Sequence, residues 1–107
     1  MKNIKTLILI FITTSFLFAN ENLKEGKQLF DKWCISCHGE NMPATKALAI
    51  VYKGTGISPI IEKRDELNKE FVKYVVRYGR FSMPFFRKVE INDKELENLA
   101  EYLYSKK

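Results

Sequence analysis

Both cysteines and the only histidine of this chain fall in one short run, Cys34-Ile35-Ser36-Cys37-His38. C-x-x-C-H is the spacing at which two thiols add across the two vinyl groups of a haem. The histidine after the second thiol can then bind the iron from one side. Other chemistries also use paired cysteines. A thioredoxin-like redox pair wants a strand-helix-strand setting, and no segment here alternates apolar and polar residues as a strand does. A zinc site needs a fuller ligand set than two cysteines and one histidine supply. A disulfide would suit an oxidising compartment, but thioether bonds to haem also account for His38.

Haem iron that only carries electrons needs a second axial ligand. No other histidine exists, so a bis-histidine site within the chain is excluded. The thioether of Met83 is the candidate. It lies in a loop between two helical stretches, with Pro84 beside it to stiffen the chain. Histidine–methionine ligation favours ferrous iron and leaves no open position for substrate. Met42, followed by Pro43, is the competitor. It stands so close behind His38 that the segment has little reach to the far face of a ring. Lysine ligation and an open sixth position are the remaining alternatives, and core filling is the ordinary role of methionine. The candidate haem-binding residues are therefore Cys34, Cys37, His38 and Met83, with His38 and Met83 on the iron. No catalytic residue is assigned. A peroxidase-like enzyme fits poorly, because no distal histidine is left for acid–base work.

The elements that must position these groups read as helices. Asn22 to Cys37 has Leu23, Lys27, Phe30 and Cys34, with Gly26 and Trp33, at helical spacing. Ala44 to Tyr52 is a short helix, and Pro59 to Lys63 starts another turn. Leu67 to Tyr78 carries a stripe of Leu67, Phe71, Tyr74, Val75 and Tyr78, with Gly79 as its cap. Asp93 to Ser105 carries Leu96, Leu99, Ala100, Tyr102 and Leu103, with Asn92 and Glu95 spaced as a capping box.

Residues 1–19 read as a secretory signal peptide. Lys2 and Lys5 form its basic start, Leu7 to Phe18 its apolar run, and Ala19 a small residue at the cleavage point. The run alone is shorter than the roughly 20 residues of a membrane span. An uncleaved anchor is the alternative, and Leu17 is larger than a cleavage site prefers. Cleavage leaves residues 20–107 as one exported, periplasmic domain with no membrane span. A domain this small buries a modest share of its surface, so a 46% apolar content fits a core that packs on a covalent haem. The remaining basic excess is mild, and no nucleic-acid module is present.

Lys73, Arg77, Arg80, Arg87 and Lys88 surround Met83 in sequence, whereas Glu90, Asp93, Glu95, Glu97 and Glu101 lie further on. A positive collar of this kind would steer an acidic partner, an ordinary solvated surface being the alternative. Trp33, Tyr74, Tyr78, Phe81, Phe85 and Phe86 form an aromatic set around the two motifs. They read either as core, or with Phe85 or Phe86 at an exposed haem edge.

Taken together, residues 20–107 resemble a class I c-type cytochrome along their whole length. Gly26 and Phe30, the Cys34–His38 run, Ser82-Met83-Pro84-Phe85 and Leu99-Ala100-Glu101-Tyr102-Leu103 match that family's landmarks in order. The resemblance implies an all-α cytochrome c fold of about four helices around one covalently bound haem c. It implies that the first and last helices cross, with Gly26 and Phe30 against Leu99 and Tyr102. It also implies transfer of single electrons between redox partner proteins, with His38 and Met83 as axial ligands. Many members have a proline whose carbonyl accepts from the haem histidine; Pro43 lies closer to His38 than that pattern. The segments from Asn41 to Leu48, Phe71 to Gly79 and Met83 to Lys88 are similar to small cytochromes that serve flavoproteins. The cytochrome subunit of p-cresol methylhydroxylase is the type, and a flavoprotein dehydrogenase is the partner that likeness implies.

Overall fold

The computed structural model describes residues 2–106; Met1 of the expected leader and Lys107 at the end of the expected domain lie outside the described residues. Five α-helices are α1 (Lys2–Trp33), α2 (Ile35–His38), α3 (Pro43–Val51), α4 (Lys69–Tyr78) and α5 (Asp93–Ser105), with a 3₁₀ turn at Ile61–Lys63 between α3 and α4. No strand occurs among the described residues, so the all-α expectation holds.

No proline interrupts the sequence from Lys2 to Trp33, and α1 runs through the expected cleavage point without a break. Its large apolar residues from Ile4 to Phe18 are 51 to 76% exposed. The apolar run is short by itself, but the helix does not stop at Phe18. By length and composition Asn3–Trp33 is able to cross a membrane, and none of its apolar window is buried. A secretory signal near an N-terminus has the same profile.

The second half of α1 packs across α5. A Cβ on Gly26 would lie 2.2 Å from the Asn98 carbonyl oxygen and 2.6 Å from the Tyr102 Cβ, so only glycine permits this approach. One turn on, Phe30 meets Tyr102 with ring centroids 6.1 Å apart. The expected crossing is therefore present. Leu29 joins Phe30 in the core, while Lys27 points outward and pairs with Asp31 at 2.6 Å. Asn98 donates to Glu25 across the crossing, and the Tyr102 hydroxyl donates to Glu62 of the 3₁₀ turn.

In α5 the apolar stripe is buried as expected, together with Asn98. Asn92 and Glu95 form the reciprocal capping box, at 2.8 and 2.9 Å. Ile91 precedes the cap and is fully buried, and Leu96 in the next turn is buried too, an arrangement that fixes how the chain enters the helix. In α4 the buried face is Val72 and Val76, whereas Tyr74 and Tyr78 are exposed. The expected stripe thus divides: Leu67 is buried and Phe71 packs against the core, while its two tyrosines face outward. Two β-branched residues one turn apart pack against α5 more closely than tyrosines, whose hydroxyls stay in water.

Candidate functional site

The expected single helix through Cys37 instead breaks at Cys34. Its amide closes α1 on the Phe30 carbonyl at 2.9 Å. Its own carbonyl then accepts from both Cys37 N at 3.1 Å and His38 N at 2.8 Å. One peptide oxygen therefore gathers the second cysteine and the histidine into the single turn α2. The turn ends at Gly39, where a Cβ would lie 2.6 Å from the Ile35 carbonyl oxygen. Thr45, buried in α3, donates its hydroxyl to the Gly39 carbonyl at 2.8 Å and fixes the chain leaving His38. Sequence reading did not single out Thr45, which stands beside Lys46 in a mainly apolar stretch.

Neither cysteine is in a disulfide. Cys34 packs against the apolar core, and Cys37 is exposed. Burial, with Cys37 nearby, pushes the Cys34 thiol up to about 12. A redox pair needs the reverse, a thiol depressed toward thiolate. Among the described residues no cluster of three His, Cys, Asp or Glu side chains could hold a metal.

The ring of His38 is held below its ordinary value, first by burial and then by the charge of Arg64. Its Nδ1 is buried without a hydrogen-bond partner, as is Nε1 of Trp33. Pro43 starts α3 and gives His38 no hydrogen bond. Arg64 was not foreseen. It lies over the Tyr52 ring at 5.0 Å and pairs with Glu66.

Met83 is placed by a tight turn. Arg80 N donates to the Met83 carbonyl at 3.2 Å, and Met83 N donates back to Arg80 at 2.9 Å. Gly79, at φ +70°, turns the chain out of α4, and a Cβ there would lie 2.7 Å from the Met83 carbonyl oxygen. Beyond Met83 the loop returns to α4, with Phe86 N donating to Val76 at 2.8 Å. Phe86 then meets Trp33 edge to face, with centroids 5.7 Å apart. Cys34 and Met83 both pack against the same apolar core. Met42, by contrast, is exposed ahead of α3.

The positive collar does not survive folding. Lys73 pairs with Glu70 at 2.9 Å and Glu97 at 3.0 Å, Arg77 with Asp93 at 2.9 Å, Lys88 with Asp93 at 3.0 Å and Arg87 with Glu90 at 3.3 Å. The acids that lie further on in sequence come back beside α4 in space. Among the described residues only Arg80 of the five has no carboxylate; it lies over the rings of Phe71 and Phe81. The aromatic set also divides. Trp33 and Phe86 pack on the core, while Tyr74, Tyr78, Phe81 and Phe85 are exposed.

A helix crossing made possible by one glycine, a C-x-x-C-H turn and a methionine turn sharing one core define a class of protein. A family model described as cytochrome C oxidase, cbb3-type, subunit III matches residues 21–103. The chain belongs to the class I c-type cytochromes, a family that carries covalently bound haem c. It is 32% identical over 87 residues to the 4-cresol dehydrogenase [hydroxylating] cytochrome c subunit of Pseudomonas putida, covering 81% of this chain and 65% of that one. It is 33% identical over 94 residues to a cytochrome c-550-like protein of Trichodesmium erythraeum, covering 80% of this chain and 55% of the relative. The chain thus spans less than two thirds of either relative. No solved structure matches it significantly.

Proposed function

We propose that this cytochrome is a periplasmic carrier of single electrons whose haem is held by Cys34 and Cys37 as thioethers and by His38 and Met83 as axial ligands. The observation that carries the reading is the shared core under the Cys34–His38 and Met83 turns, joined through Trp33 and Phe86. Bound haem supplies a one-electron iron couple. The chain's own residues do the rest. The Cys34 carbonyl sets the second thiol and the imidazole on one turn. The core excludes water from the side on which Cys34 packs. The partnerless Trp33 Nε1 and the guanidinium of Arg64 are donors suited to the haem carboxylates. The unmatched His38 Nδ1 needs an acceptor once the other ring nitrogen is on iron. With both His38 and Met83 on the iron no position would be left for substrate, which supports a carrier rather than an enzyme. Residues 1–19 are read as an export signal removed before residue 20.

The resemblance to a dehydrogenase's cytochrome subunit favours one second reading. In it the protein is the haem subunit of a flavin-dependent oxidoreductase and takes electrons from the flavin. Purification from the native host separates the two. Co-migration with a flavoprotein supports the subunit reading, and a lone monomer contradicts it. For the haem itself, absorbance should stay with the polypeptide through acid–organic extraction. A Cys34→Ala, Cys37→Ala double variant should lose it; retention there would overturn the attachment sites.

A further inference from the structure

Phe81 is 96% exposed, the most exposed large apolar side chain among the described residues. Its backbone sits at φ +53°, a region that sterics disfavour for any bulky residue. Glycine or asparagine would occupy this corner with less strain. The Arg80–Met83 hydrogen bonds hold the corner in place regardless. Neither the exposure nor the strain helps the chain fold. A strained residue that the surrounding structure enforces points to use by something outside the fold.

The surroundings limit what that is. The Arg80 guanidinium lies 5.3 Å from the Phe81 ring and 5.9 Å from the Phe71 ring. Phe71 lines a shallow groove on α4 with Tyr74 and Tyr78, exposed tyrosines whose rings are 5.0 Å apart. Aromatic side chains and arginine are the types that dominate binding energy at protein interfaces. An anionic lipid surface would draw on free cations, but the neighbouring lysines and arginines are tied to carboxylates of the same chain. A two-fold contact with a second copy would bring Arg80 near its own symmetry mate, like charge to like. The remaining match is a foreign protein surface, apolar where Phe81 enters and acidic where Arg80 lies.

We propose that Phe81 anchors the docking of a redox partner protein, seating in an apolar pocket whose rim presents a carboxylate to Arg80. This rests on the electron-carrier reading above. It predicts docking that depends only weakly on salt, since a single uncompensated cation takes part.

The test places a benzophenone-bearing phenylalanine at position 81 of the holoprotein in its native host. Irradiation should give an adduct with one protein that carries a redox cofactor, through a peptide containing Asp or Glu among apolar residues. Adducts with the chain itself, with lipid, with a protein lacking a redox centre, or none at all would overturn the proposal. With that partner purified, Phe81→Gly and Arg80→Gln should each slow interprotein electron transfer about 10-fold, and Phe81→Tyr should restore it. Phe81→Gly relieves the backbone and should fold at least as well. An unchanged rate, or a lowered thermal midpoint, would contradict the proposal. Reduction by dithionite needs no docking. Its rate should not change, and it reports separately on the haem site.

Discussion

Trp33 and Phe86 meet edge to face with ring centroids 5.7 Å apart. Trp33 directly precedes the first cysteine, and Phe86 closes the loop that follows Met83. This one contact ties the two halves of the proposed haem site together across the core. Phe86→Ala should therefore do more than open a gap. It should cost about 2 kcal/mol, roughly half of what truncating a fully buried phenylalanine costs. It should also weaken the sulfur-to-iron charge-transfer absorption of the oxidised protein while haem stays attached. Chemical denaturation and the visible spectrum check both.

The crossing of α1 and α5 rests on Gly26. A methyl group there would meet the Asn98 carbonyl oxygen at 2.2 Å. That is backbone, which cannot rotate away. Gly26→Ala should destabilise the fold by at least about 2 kcal/mol, at the upper part of the range for overpacked sites. A calorimetric midpoint equal to that of the wild type would contradict the geometry.

Asn92 caps α5 by accepting from Glu95 N at 2.9 Å. Asn92→Ala should cost about 1 kcal/mol. Asn92→Asp should cost far less, because its side-chain oxygen can still accept and its charge favours a helix N-terminus. Paired urea titrations of the two variants measure the difference.

Hydrogen bonds from Lys88 and then Arg77 hold the Asp93 carboxyl below its ordinary value of 3.8. The unfolded chain therefore takes up this proton first as pH falls. The contribution of Asp93 is complete above the ordinary value and is lost as pH falls through the depressed one. Asp93→Asn should be less stable than the wild type at neutral pH, and the gap should close in the acid range below 3.8. Denaturation at a series of pH values reads this directly; a gap constant with pH would show that the carboxylate charge plays no part.

The sequence was most legible where one residue type permits one outcome. Gly79 as a cap and the Asn92–Glu95 box rest on local chemistry that tertiary context does not override, whereas Gly26 as a crossing point was legible only through the family resemblance. The buried face of α4 was not legible. Valines and tyrosines alternate along it so that either face reads as apolar, and only the fit against α5 chooses Val72 and Val76. The supposed collar failed for a related reason. Charges far apart in sequence are neighbours in space once α5 lies against α4, and Glu97 reaches Lys73 at 3.0 Å. At the site, the Cys34–His38 run announced itself through residue identity. Thr45 and Arg64 did not, because single polar residues carry no spacing signal.

The central claim is a closed six-coordinate centre with His38 on one side of the iron and Met83 on the other. The sulfur-to-iron charge-transfer absorption of the oxidised holoprotein tests it most directly, compared between Met83→Ala and Met42→Ala. The account predicts that the band disappears in Met83→Ala and stays in Met42→Ala. A band that persists without Met83, or that vanishes without Met42, would contradict it.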